Sequence, residues 1–233
     1  MKLSVIMPVF NELKTIETII QRVDSLLIDK EIVIVDDCST DGTRRILEVK
    51  KKKQEEDGSD KNFKIIFHQT NQGKGAAIRT GLGYVTGDYV IIQDGDLEYN
   101  PEEYLKLIAE VENSHDQVIY GSRFLGRSLE MSTLHWWGNR FLTSTTNILY
   151  GAKLSDMETC YKLIKTSLFK SLNLKSNQFE IEPEITAKIL KKRIAIKEIP
   201  INYLGRGFHQ GKKITWRDGF SSLWALIKYR FKE

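Results

Sequence analysis

The chain has 233 residues, with 35 Lys and Arg against 31 Asp and Glu, a formal net charge of +4, and 41% apolar and 28% charged residues. That length fits one large domain with a substantial core, and the balance excludes disordered and collagen-like chains. Two distant cysteines, Cys38 and Cys160, lie outside any CxxC pattern and have no nearby His, which argues against zinc and redox chemistry.

The opening run is interrupted by Pro8 and followed by no small-residue cleavage site, so it reads as a strand and not as a signal peptide. No run reaches the roughly 20 apolar residues of a spanning helix. The expected protein is soluble or peripheral.

Leu3 to Val9 predicts a first buried strand, and Asn11 predicts the cap of a helix reaching about Leu27, with Ile16, Ile19, Ile20 and Val23 at helical spacing. Ile32 to Val35 predicts a second strand. It runs into Asp36-Asp-Cys-Ser-Thr-Asp-Gly-Thr43 and a helix to about Glu56, whose charged stretch, Lys50 to Lys61, reads as a solvated helix end and loop. Ile65 to His68 is a third strand, and Asn71-Gln-Gly-Lys-Gly75 opens a helix through Gly83. Tyr89 to Ile92 is a fourth strand, Pro101 starts a helix to about Glu112, and Val118 to Tyr120 is a fifth strand. Strand and helix alternate, with polar residues gathered at the strand ends. This is the pattern of an α/β fold with a mostly parallel, Rossmann-like sheet and a site at the carboxyl ends of its strands.

After Gly121 the rhythm changes. Leu134 to Tyr150 and Glu182 to Lys192 read as helices, Tyr161 to Lys165 and Ala195 to Ile201 as strands, and Trp216 to Phe231 as a final amphipathic helix. With no repeat and no linker, residues 1–233 read as one domain with a first half, 1–121, and a second half, 122–233.

Three strand ends carry the chemistry. Asp94, Asp96 and Glu98 alternate after the fourth strand, where carboxylates so close need a partner, and oxygen ligands suit Mg²⁺ or Mn²⁺. Asp37 stands where a carboxylate can accept from a nucleobase or ribose, while Asp41 reads better as a helix cap. The Asn71–Gly75 turn offers backbone N–H groups at a helix start and Lys74, a place for phosphate, although its spacing is not that of a Walker A loop.

Val5-Ile-Met-Pro-Val-Phe-Asn-Glu12, Val35-Asp-Asp-Cys-Ser-Thr-Asp-Gly-Thr43, Asn71-Gln-Gly-Lys-Gly75 and Gln93-Asp-Gly-Asp-Leu-Glu98, in that order, resemble family 2 glycosyltransferases with the GT-A fold. Within them the chain is similar to the dolichyl-phosphate mannose synthase group of polyprenyl-phosphate hexosyltransferases. The resemblance implies a nucleotide-sugar donor bound by Pro8, Val9, Glu12, Asp37, Lys74, Asp94 and Asp96. It implies a divalent metal on Asp96 and Glu98, and Asp94, Asp96 and Arg123 as catalytic residues. Glu98 stands where the mannose synthases often carry glutamine, which keeps a metal oxygen and leaves the hexose open.

For the acceptor, the resemblance places a lipid phosphate on Arg123 of Gly121-Ser-Arg123, on Arg140 and Ser144 of the following helix, and on Arg206, with Lys212 beside them. Guanidinium forks suit phosphate. A phosphate acceptor is already anionic, whereas a sugar hydroxyl needs a general base, for which Asp156 and Glu158 are the candidates. Glu180, Glu182 and Glu184 read as helix N-terminal charges. Aromatic residues at Trp136, Trp137, Trp216 and Trp224 beside basic ones suit a membrane interface.

The expected protein is therefore an inverting, metal-dependent enzyme moving mannose or glucose from a GDP- or UDP-sugar to a polyprenyl or dolichyl phosphate. It would sit peripherally at the cytoplasmic face of a membrane, and the reading admits a membrane-protein partner or a homo-oligomer. Two alternatives stay open: a family 2 enzyme acting on a saccharide hydroxyl in cell-surface polysaccharide synthesis, and a non-catalytic nucleotide-sugar-binding module. The basic residues lack the aromatic interleaving of a nucleic-acid site, so no nucleic-acid partner is expected.

Overall fold

Apolar runs able to bury every side chain become the strands of one sheet, and their flanking amphipathic segments become the helices that cover it. The computed structural model describes residues 1–58, 62–205 and 216–232. In chain order the elements are β1 (Leu3–Val9), α1 (Ile16–Asp24), β2 (Lys30–Asp36), α2 (Thr43–Asp57), β3 (Phe63–Phe67), α3 (Lys74–Leu82), β4 (Tyr89–Ile92), α4 (Tyr104–Ser114), β5 (Val118–Ser122), β6 (Ser128–Leu129), α5 (Thr133–Tyr150), β7 (Lys162–Lys165), α6 (Thr166–Ser171), α7 (Ile181–Lys191), β8 (Lys197–Pro200), β9 (Tyr203–Leu204) and α8 (Trp216–Phe231).

The main sheet has the order β3-β2-β1-β4-β7-β5-β8. All seven residues of β1 and of β2 are buried, as expected of parallel strands covered on both faces. α1 contributes Ile16, Ile19, Ile20 and Val23 to the core, at the spacing of one helix face. The sheet reverses direction once: β7 pairs antiparallel with both β4 and β5. β6 and β9 form a separate two-stranded ribbon.

Three details differ from the sequence reading. Asn11 does not cap α1, which starts at Ile16. Asn11 takes a left-handed conformation, φ 50°, and its Oδ1 accepts from Thr40 N at 2.8 Å, so its side chain ties the β1 loop to the β2 loop. Leu27 lies beyond the helix and is fully exposed. The direction of β7, the ribbon and α6 were not read, because so short a strand carries no signal of its direction.

α8 packs on α7 and α5, burying Ser222, Ala225, Leu226 and Tyr229, and the Tyr150 hydroxyl donates to Leu226 O at 2.7 Å. Its other face leaves Phe220, Trp224 and Phe231 exposed. α5 likewise exposes Leu134, Trp137, Phe141 and Ile148. Among the described residues, no helix is long and apolar enough to cross a membrane.

Candidate active site

Parallel strands bring their carboxyl ends to one edge, so Val9, Asp37 and Asp94 converge from β1, β2 and β4. Because β7 runs the other way, the residues leading into it, Asp156 to Cys160, reach the same edge. A cavity of about 820 Å³ opens there. Of the predicted residues, Pro8, Val9, Glu12, Asp37, Lys74, Asp94, Asp96, Glu98, Arg123 and Glu158 line it. Met131, Leu134 and Leu142 form an apolar wall on the α5 side.

On the donor side, Asp37 is occupied by its own neighbours. Its carboxylate accepts from Gln72 N at 2.9 Å and Gly73 N at 2.7 Å, and meets His68 Nδ1 at 2.7 Å. Ala76 N donates to Asn177 O. The Gln72, Gly73 and Ala76 N–H groups are thus taken by protein and are not offered to a phosphate. The glycines serve a different purpose. A Cβ on Gly73 would lie 2.4 Å from Asn177 O, and one on Gly75 would lie 2.5 Å from Ser176 O. Both are bare so that the segment before α7 can pack against the turn.

Lys74 is largely buried. Its Nζ lies 2.7 Å from Asp94 Oδ1 and 3.3 Å from Glu182 Oε1. Burial pushes its pKa down, but Asp94 foremost, then Cys160 and Glu182, hold it well above the usual lysine value. Asp96 Oδ1 accepts from Glu98 N at 3.0 Å, and Glu98 Oε2 accepts from the Tyr203 hydroxyl. Among the described residues, no three His, Cys, Asp or Glu side chains stand together as a self-sufficient metal cage. Mg²⁺ commonly takes one or two carboxylates and completes its shell with substrate phosphates and water, so Asp96 and Glu98 fit such an ion.

On the acceptor side, Arg123 is buried and forked onto Asp156: Nε to Oδ2 at 2.7 Å and Nη2 to Oδ1 at 2.8 Å, with the Arg123 backbone N also donating to Oδ2 at 2.9 Å. Burial works against its charge, but Asp156 outweighs it and keeps the guanidinium protonated. Among the described residues, Nη1 makes no hydrogen bond. Asp156, one of the two candidate bases, is fully buried and saturated by Arg123, and it does not line the cavity.

Glu158 does line the cavity. Its Oε1 is sealed from solvent without a hydrogen bond, although the residue as a whole keeps partial exposure. Burial raises its pKa to about 7, with Lys162 opposing and Glu182 adding to the rise. Cys160 lies at the cavity floor, where burial pushes its thiol up and leaves it unreactive.

Arg140 and Ser144 are exposed and do not line the cavity. Successive helical residues turn by about 100°, so with Leu134, Gly138 and Leu142 facing the cavity, these two face away. Arg140 instead lies over the Phe124 and Trp136 rings, at 5.6 and 5.9 Å. Arg206 and Lys212 lie outside the described residues. Two site residues escaped the sequence reading. Tyr203 carried no signal, and Glu182 read first as a helix-start charge, one of three glutamates any of which could touch substrate.

The sequence profile of the family described as Glycosyl transferase family 2 matches residues 4–172. The chain belongs to that family.

Among the relatives of this family 2 chain is the low-salt glycan biosynthesis hexosyltransferase Agl6 of Haloferax volcanii, 32% identical over 86% of this chain and 47% of that protein. Another is the dolichol-phosphate mannosyltransferase of Pyrococcus furiosus, 30% identical over 98% of this chain and 64% of that protein. The family 2 chain thus spans less than two thirds of these relatives' length. Among solved structures, it resembles Mycobacterium tuberculosis glucosyl-3-phosphoglycerate synthase in complex with UDP, with a TM-score of 0.72 and 18% identity over 98% of this chain and 80% of that one. It also resembles S. aureus TarS 1–349 in complex with UDP-GlcNAc, with a TM-score of 0.65 and 19% identity over 98% of this chain and 66% of that one. At these identities the likeness shows the GT-A fold.

Proposed function

We propose that the chain transfers a hexose, with inversion, from a GDP- or UDP-sugar to a polyprenyl phosphate at the cytoplasmic face of a membrane. The observation that carries this reading is Arg123: a buried, permanently charged guanidinium with an open Nη1, set in a cavity that also has an apolar wall on α5. A phosphate on an apolar chain matches that pairing of charge and hydrocarbon. The exposed Leu134, Trp137 and Phe141 of α5, and Phe220 and Trp224 of α8, support contact with a lipid surface. The Pyrococcus furiosus relative is a dolichol-phosphate mannosyltransferase, which points the same way.

The donor would occupy the edge formed by Pro8, Val9, Glu12 and Asp37, with its diphosphate toward Lys74 and Asp96. The synthase from Mycobacterium tuberculosis has been solved with Mn²⁺ and UDP-glucose, and Asp96 and Glu98 would hold such an ion here. When bound, a divalent ion neutralises charge that develops on the departing nucleoside diphosphate. Lys74 adds positive charge to the same phosphates. Arg123 orients the acceptor phosphate, which attacks as an anion and needs no base.

A second reading has its own observation. Glu158, half-buried with its pKa raised to about 7, is the kind of group that takes a proton from a sugar hydroxyl. Radiolabelled UDP- and GDP-hexoses offered with polyprenyl phosphate in vesicles, and separately with free glycans, decide between the two. Labelled lipid is expected. Product with glycans alone, abolished in Glu158→Gln, overturns the lipid reading.

A further inference from the structure

The proposed reaction leaves Glu182 and Lys162 without a role, and both belong to a file of alternating charges that starts at the cavity. Asp94 meets Lys74, Lys74 meets Glu182 Oε1 at 3.3 Å, and Glu182 Oε2 meets Lys162 Nζ at 2.6 Å. Lys162 is completely buried, a rare state for lysine unless it is paired. Its ammonium lies 5.0 Å from the centre of the Tyr120 ring and also donates to Thr159 O.

Glu182 is itself buried, and its Oε1 makes no hydrogen bond. The 3.3 Å approach of Lys74 to that oxygen is a charge contact without hydrogen-bond alignment. Glu182 sits in the first turn of α7. The bare Gly73 and Gly75 let the segment before that helix close onto the Lys74 turn.

We propose that Glu182 is a positioning residue of the donor site, fixing the Lys74 ammonium beside Asp94, while Lys162 neutralises Glu182 from the interior. The inference rests on the reading of Lys74 as a ligand of the donor diphosphate. A lysine side chain has many rotamers, and its ammonium can serve a diphosphate at one place only if it is held there. Asp94 anchors it on one side, and the Cys160 sulfur, 4.0 Å away, adds only a weak contact. Glu182 supplies the opposing pull, and the rigid Lys162 pair keeps Glu182 from turning toward solvent.

The test separates this role from a merely structural one. Glu182→Gln alone leaves Lys162 buried and unpaired, so it is expected to unfold early. The double variant Glu182→Gln/Lys162→Met removes both charges together and is expected to recover much of that loss. Titration of UDP and of GDP in the presence of Mn²⁺ then reads the donor site. The better-binding nucleotide is expected to bind the double variant about tenfold more weakly than the parent, with donor KM rising more than kcat falls.

Glu182→Asp, which keeps the charge balance and withdraws the carboxylate by one methylene, is expected to fold and to show the same weakening. A variant that folds and binds the nucleotide as tightly as the parent, or more tightly, overturns the proposal. Lys74→Met is the control. If it leaves nucleotide affinity unchanged, the diphosphate reading of Lys74 falls and the inference with it. If Lys74→Met weakens binding while the Glu182 variants do not, only the positioning role is lost.

Discussion

Replacing Glu158 by Gln should change how the protein's stability responds to pH. In the native chain burial raises this carboxyl from 4.5 to about 7. Between those values the unfolded chain has released a proton that the native state still holds. Native stability therefore falls as pH rises from about 4.5 to about 7, and this contribution is level on either side. The distance between the two values sets a ceiling of about 3 kcal/mol on the fall. Glu158 keeps part of its surface in water, so about 1–2 kcal/mol is the expected magnitude. Urea unfolding of parent and Glu158→Gln across this window measures it, since other titrating groups contribute alike to both chains. The Gln variant should be the more stable of the two above about pH 7, and the gap should close toward about pH 4.5. Parallel stability curves for the two proteins would refute the assigned burial of this carboxyl.

Three further outcomes follow from particular contacts. Asp156→Asn removes the charge that the buried Arg123 is forked onto and should cost about 3–5 kcal/mol in urea unfolding, because the remaining charge is left uncompensated. Gly75→Ala places a methyl 2.5 Å from Ser176 O and should destabilise by about 1–3 kcal/mol; a neutral effect would mean that the segment before α7 is free to move. Tyr203→Phe deletes the hydroxyl that orients Glu98 and should weaken Mn²⁺ binding to the UDP-loaded protein by about tenfold in calorimetry, with little change in melting temperature.

The donor half was legible because its signals are local. β1, β2 and β4 are runs of buried residues followed within three residues by Glu12, Asp37 and Asp94, and the parallel pairing that follows from strand–helix alternation brings those ends together. The acceptor half was less legible because its geometry depends on non-local packing. Arg140 and Ser144 share a helix face, as their spacing requires, but which way that face points is set by how α5 meets α8. Asp156 read as a candidate base because its bond to Arg123 joins residues 33 positions apart. The glycine-rich turn read as a phosphate cradle, since sequence alone cannot show that Asp37 takes the Gln72 and Gly73 N–H groups or that residues 176–178 need the space. Lys162 gave no warning at all: a lysine at the start of the short strand Lys162–Lys165 looks like a solvated strand end.

The reversed strand β7 has a consequence for how the molecule is put together. β5 belongs to the first 121 residues, yet both of its sheet neighbours, β7 and β8, come from the second half of the chain. The two halves are therefore interwoven like the fingers of clasped hands. A fragment ending after β5 would leave that strand with nothing to pair to, so the donor-side residues should not fold as a detached module. The same weave locks the spacing between the two sides of the cavity. In β7, Lys162 pairs with Tyr120 while Ile164 pairs with both Val90 and Val118, so one strand measures the distance from the Asp94 edge to the Arg123 edge. A slip of one residue there would turn Lys162 to the opposite face of the sheet and shift Asp156 away from Arg123. Changes that retune the acceptor should accumulate in the helices and loops around this strand and spare its register.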